Sequence, residues 1–122
     1  MAVQSLSLQR QMELVFWQIK EELAHLSSGI VFVHIRNNVI GKFGVRHFPL
    51  ETRGGKLERA KEGGLTEVHW LSFRQMAVDA LSLKNWTHGE ICFEFALKKG
   101  ILHTSVQFES NYNMANLLTA NQ

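Results

Sequence analysis

The chain has 122 residues, of which 45% are hydrophobic and 20% charged, and it carries a net charge of +2 from 13 basic and 11 acidic side chains. That length fits one core of about 100–150 residues, and the composition excludes a disordered or fibrous chain. The charge is too mild to indicate a nucleic-acid partner by itself, and no apolar run approaches the roughly 18 residues of a membrane span.

The lone Cys92 cannot form an internal disulfide, which fits a reducing compartment. The stretch MAVQSLSLQRQ lacks the basic-then-apolar order of a secretory signal. Residues 1–122 are therefore expected to form a single cytoplasmic domain, with no membrane, metal or cofactor.

The first periodic segment is LQRQMELVFWQIKEELAHLSSG. Leu8, Met12, Val15, Phe16, Ile19, Leu23 and Leu26 recur at steps of three and four and predict a helix buried along that stripe. Ser5 or Ser7 can cap its start, and Gly29 is expected to stop it. Leu14 and Trp17 lie beside the stripe and widen it, either under a sheet or as a contact face.

GIVFVHIRNNVIGKFGVRHFPL reads as a hairpin turning at Asn37-Asn38, since Asn tolerates the positive φ of tight turns. An unbroken register would set Phe32 opposite Phe43, Ile30 opposite Val45 and His34 opposite Gly41. Gly41 and Gly44 mark a bulge or a close contact, and Pro49 ends the pairing.

Two glycine pairs then bracket RGGKLERAKEGGL. A loop over residues 51–64 is expected to be flexible, with one or two helical turns in KLERAKE. Walker chemistry needs Gly-Lys-Ser/Thr, but Gly54-Gly55-Lys56 is followed by Leu57. The three spaced glycines of a dinucleotide fingerprint are also missing. Arg53, Lys56, Arg59 and Lys61 outnumber Glu58 and Glu62, which makes the segment an electrostatic contact for an acidic partner. With Arg46, these four cations form the predicted binding set.

LTEVHWL reads as a short strand or the approach to a helix. Ser72 to Gln75 matches a capping box with a Leu71–Met76 staple, predicting a helix over 73–84 with Phe73, Met76, Ala77, Ala80 and Leu81 inward.

GEICFEFALKKGILHTSVQFES alternates cleanly. With Lys99-Gly100 as the turn, Leu97 meets Leu102, Phe95 meets Thr104, Phe93 meets Val106 and Ile91 meets Phe108. A one-residue slip would destroy every match. NYNMANLL closes the sequence as a short helix capped by Asn113. The expected architecture is α+β, an antiparallel sheet of two hairpins with helices on one face, in the order α-β-β-(β)-α-β-β-(α).

Candidate chemistry is sparse. None of the six histidines (His25, His34, His47, His69, His88, His103) forms a pair at metal-ligand spacing. His103 and Cys92 share a face of the second hairpin and could pair as base and nucleophile, without an orienting third group. Glu90 and Glu94 share a strand face, with Glu109 expected farther off and no cleft for acid–base work. The basic stretch 36–61 (Arg36, Lys42, Arg46, Arg53, Lys56, Arg59) interleaves with Phe43, His47 and Phe48, as in single-strand binding surfaces.

The helix–hairpin–helix–hairpin layout, with NWTHGEICFEFALKKGILHTSVQFESNY carrying Trp86-Thr87, Gly100, Phe108 and Tyr112, resembles YezG-like bacterial immunity proteins over about residues 10–112. The same order is similar to roadblock-type dimerisation modules and to secretion chaperones. The resemblance implies a bacterial protein that acts by binding another protein or itself, as a homodimer, through a sheet edge or a helix face. The alternatives are a nucleic-acid-binding domain using 36–61, and an enzyme whose site is assembled from distant residues.

Overall fold

The computed structural model describes residues 6–50, 52–57, 63–83 and 88–120. The predicted stripe becomes helix α1 (Leu8–Gln18), followed after a break at Ile19 (φ −96°, ψ 5°) by one turn, α2 (Lys20–Leu23). Ser7 caps α1 by accepting from the Arg10 N–H. Gly29 does not stop this helix. It is the second residue of strand β1 (Ser28–Arg36), where it pairs with Phe95, so the helical period ends five residues earlier than expected.

Strand β1 turns at Asn37 and Asn38, both at positive φ (52° and 62°), into β2 (Val39–Arg46). Arg36–Val39 and Ile35–Ile40 pair as an unbroken register requires, but a bulge then shifts the ladder by one. Val33 therefore meets Phe43, Phe32 meets Gly44, and Ile30 meets Arg46 instead of Val45. The shift turns Phe43 and Val45 toward the core and leaves Phe32 on the other face, lying across Gly44.

A small hairpin follows, β3 (Thr52–Arg53) and β4 (Lys56–Leu57), turning through Gly54 and Gly55 at φ 61° and 81°. The first glycine pair is thus a hairpin turn. Of KLERAKE, Lys56 and Leu57 are strand, and residues 58–62 lie outside the described residues.

Helix α3 (Glu67–Ala80) starts six residues before the predicted position. Thr66, not Ser72, is the cap: its hydroxyl accepts from His69 N–H, and its own N–H donates to His69 Nδ1 at 3.1 Å. Within LTEVHWL, Leu65 and Thr66 are the approach to the helix and Glu67–Leu71 its first residues, so the stretch is not a strand. A 3₁₀ turn (Leu81–Leu83) ends the helix, and Lys84 lies outside the described residues.

Strands β5 (His88–Lys98) and β6 (Ile101–Ser110) pair in the predicted register throughout. The last helix, α4 (Met114–Ala120), begins with Asn113 Oδ1 accepting from Ala115 N–H at 2.9 Å.

The larger sheet is antiparallel in the order β2-β1-β5-β6. Helices α1 and α3 supply one side of the core, as Phe16 and Phe73 meet each other and Phe93 of β5 with ring centroids 4.9–6.2 Å apart at edge-on angles. Val31, Val33, Ile35, Ile91 and Phe95 complete that face, all buried. Among the described residues the core holds no buried polar side chain, so burial of apolar area drives its assembly. Truncating any of these phenylalanines to Ala would cost about 3–5 kcal/mol.

A candidate interaction groove and the second sheet face

The break at Ile19 and the cap at Thr66 bring the last turn of α1 against the start of α3. Trp70 is buried there, and its indole N–H donates to the Phe16 carbonyl at 2.9 Å. Trp17 meets it edge-on, with centroids 6.4 Å apart, but is itself 65% exposed. Lys20 Nζ lies 4.4 Å from the centroid of the Trp70 ring and 2.7 Å from Glu67 Oε2. The Arg74 guanidinium lies 5.2 Å from the same ring.

Arg10, Glu13, Leu14 and Trp17 of α1 and Trp70 and Arg74 of α3 line a groove of about 240 Å³. Small-molecule sites run to about 300–1,000 Å³, so this one has room for a single large side chain. Arg10 is engaged by Glu13 at 3.4 Å and Lys20 by Glu67. Among the described residues no carboxylate pairs with Arg74.

Among the described residues, neither α1 nor α3 packs on the opposite face of the sheet. Arg46 is exposed there, with its guanidinium 5.3 Å from the Phe32 ring centroid. Cys92 Sγ donates to Glu90 Oε1 at 3.0 Å, and His34 Nε2 lies 3.2 Å from Glu90 Oε2. Burial raises the Cys92 thiol to about 11, helped by the hydrogen bond and charge of Glu90 and opposed by Arg46. It is therefore a protonated thiol at neutral pH.

The suggested Cys92–His103 pair is not formed. Cys92 lies opposite Gln107 and His103 opposite Ala96, two same-face positions away. Glu109 is directly across from Glu90 rather than distant, a like-charge pair on one face.

Of the predicted cations, Arg46 ends β2 on the sheet face away from α1 and α3, and Arg53 and Lys56 pair across the Gly54-Gly55 turn. Arg59 and Lys61 lie outside the described residues. Among the described residues no group of three or more His, Cys, Asp or Glu could hold a metal ion, and no helix is long and apolar enough to cross a membrane. The sequence reading missed Arg10 and Arg74, although Leu14 and Trp17 beside the helix stripe were the available signal.

Comparison with known proteins finds no family model, no curated protein and no solved structure that matches this chain.

Proposed function

We propose that this chain is a protein-interaction domain that seats a segment of another protein in the α1–α3 groove, the segment carrying one large apolar side chain flanked by Asp or Glu. The observation that carries this reading is Trp17, 65% exposed beside a groove holding Arg74, a cation without a carboxylate partner among the described residues. Trp and Arg are the residues most enriched where binding energy concentrates. The apolar anchor would cover Trp17 and Leu14, and the acidic flank would meet Arg74 and Arg10. In the immunity-like role suggested by the sequence resemblance, the segment belongs to a toxin. In an adaptor role it belongs to a cellular client, and the chemistry is the same.

The nucleic-acid alternative is less well supported. Arg46 over Phe32 offers a stacking position, but Glu90, Glu94 and Glu109 share that sheet face and would repel a polyanion.

The test is a fluorescence titration of the full chain with a synthetic peptide holding one Leu among Asp and Glu, against a Lys-for-acid control peptide. Saturable change with the acidic peptide alone is expected, weakened by salt. Arg74→Glu should weaken binding by about tenfold or more. A response that is absent, or equal in Arg74→Glu, overturns the proposal.

A further inference from the structure

The contacts between α1 and α3 fix which of their residues stand level with one another. Lys20 Nζ pairs with Glu67 Oε2 at 2.7 Å, Trp17 meets Trp70 edge-on, and Arg10 and Glu13 share the groove with Arg74. Numbers fall along α1 as they rise along α3, so the two helices run antiparallel. One further turn from the Trp17–Trp70 contact sets Glu13 level with Arg74. Among the described residues no carboxylate pairs with Arg74, and Glu13 is held by Arg10 alone, at 3.4 Å.

The groove has room for one large side chain, and the chain carries such a side chain on the groove's own rim. Trp17 is largely exposed there, beside the half-exposed Leu14. A pocket, an apolar anchor that fits it, and charges of both signs thus lie within one patch. Those are the elements of an isologous contact, in which one surface meets a copy of itself.

We infer that in the free protein a second copy of this chain covers the groove, each copy's Trp17 packing into the other's groove, and that the acidic segment proposed above binds by displacing it. The inference rests on the reading of the groove as an interaction site. A two-fold axis running along the groove lays α1 of one copy over α3 of the other and keeps their levels matched. Glu13 then meets Arg74 of the second copy, and Lys20 meets its Glu67, with symmetry supplying each pair twice. A two-fold running across the groove would instead set Arg74 against its own copy, like charge on like charge. Electrostatics therefore select the first arrangement. The patch is small, so the dimer is expected to be weak, with a Kd of about 10–100 µM, and dilute chain is monomeric.

Sedimentation equilibrium of the full chain, at concentrations on the order of 100 µM, tests it. The wild type is expected to dimerise. Arg74→Glu and Glu13→Arg each set like charges across the two-fold, so each alone should weaken association about tenfold or more. An equimolar mixture of the two variants should dimerise again, because every contact between unlike chains then joins opposite charges. No contact within one chain produces that rescue. If either variant does not fold by circular dichroism, Trp17→Ala decides in its place and should give a monomer. Adding the acidic Leu peptide should dissociate the wild-type dimer. A monomeric wild type, a dimer indifferent to these substitutions, variants that do not recover on mixing, or a peptide that binds and leaves the dimer intact overturns the inference. A charge-sensitive dimer that the peptide does not bind upholds it and overturns only the proposed acidic partner.

Discussion

The indole N–H of Trp70 donates to the backbone carbonyl of Phe16 at 2.9 Å, linking the start of α3 to α1 one turn before its break at Ile19. Both groups are buried, so each would be left without a partner if the other were removed. Trp70→Phe keeps most of the ring but strands the carbonyl, and is expected to cost about 1–3 kcal/mol. Urea denaturation measures this, and a change near zero would show that the bond does not hold the helices together.

Gly64 makes a second junction. A Cβ there would lie 1.7 Å from the Ala24 carbonyl oxygen and 2.7 Å from His25 N, all rigid backbone at the end of α2. The contact lets Leu65 N–H donate to the Leu23 carbonyl at 3.1 Å. Gly64→Ala should destabilise by roughly 1–3 kcal/mol or more through overpacking. Gly63→Ala, with nothing within 4 Å, should be close to neutral. Equal melting temperatures for the two variants would contradict this packing.

These junctions mark the limit of what the residues reveal unaided. Period-2 alternation placed β5 against β6 correctly because every inward residue has an apolar or Thr partner, and a slip would expose them all. The first hairpin was legible only near Asn37-Asn38. Its bulge depends on how Phe32 fits over Gly44, a three-dimensional constraint that no period encodes. Helix α3 begins earlier than its letters suggest, because Ser72–Gln75 has the usual capping pattern whereas Thr66 uses a histidine for the reciprocal bond. The groove escaped for a related reason. Arg10 and Arg74 are 64 positions apart, and only the packing of α1 on α3 makes them neighbours of one cavity.

Cys92 should behave as a slow thiol. Desolvation first, then the hydrogen bond from its Sγ to Glu90, raises it to about 11 from an ordinary 9.0. The folded state therefore holds this proton more tightly than the unfolded chain does. The resulting stabilisation is complete below about pH 9 and is lost as pH rises through about 11. Alkylation by iodoacetamide should be slow at pH 8 and climb toward pH 11. Glu90→Gln should shift that profile to lower pH by removing the neighbouring charge. A profile centred near pH 8 to 9 in the wild type would refute the assignment.

Gln11 guards the β2 edge by accepting from the Ile40 N–H at 2.7 Å. Gln11→Ala leaves that half-buried amide without its acceptor and should cost about 1 kcal/mol. The sharper readout is local: hydrogen exchange at the Ile40 amide should accelerate more than at Val33 in the central strand. Uniform acceleration would mean that Gln11 acts on global stability and not on the edge.

Trp17 and Trp70 touch, yet their replacement should separate binding from folding. Trp17 is 65% exposed, whereas Trp70 is 3% exposed and packed in the core. Removing an exposed side chain forfeits little burial, so Trp17→Ala should change stability by no more than about 0.5 kcal/mol. Trp70→Ala should cost about 3–5 kcal/mol. If Trp17 serves a partner in the groove, Trp17→Ala should abolish binding of the acidic Leu peptide while the melting temperature stays unchanged. A large loss of stability in Trp17→Ala would instead make this ring part of the scaffold, and its exposure would then say nothing about a partner.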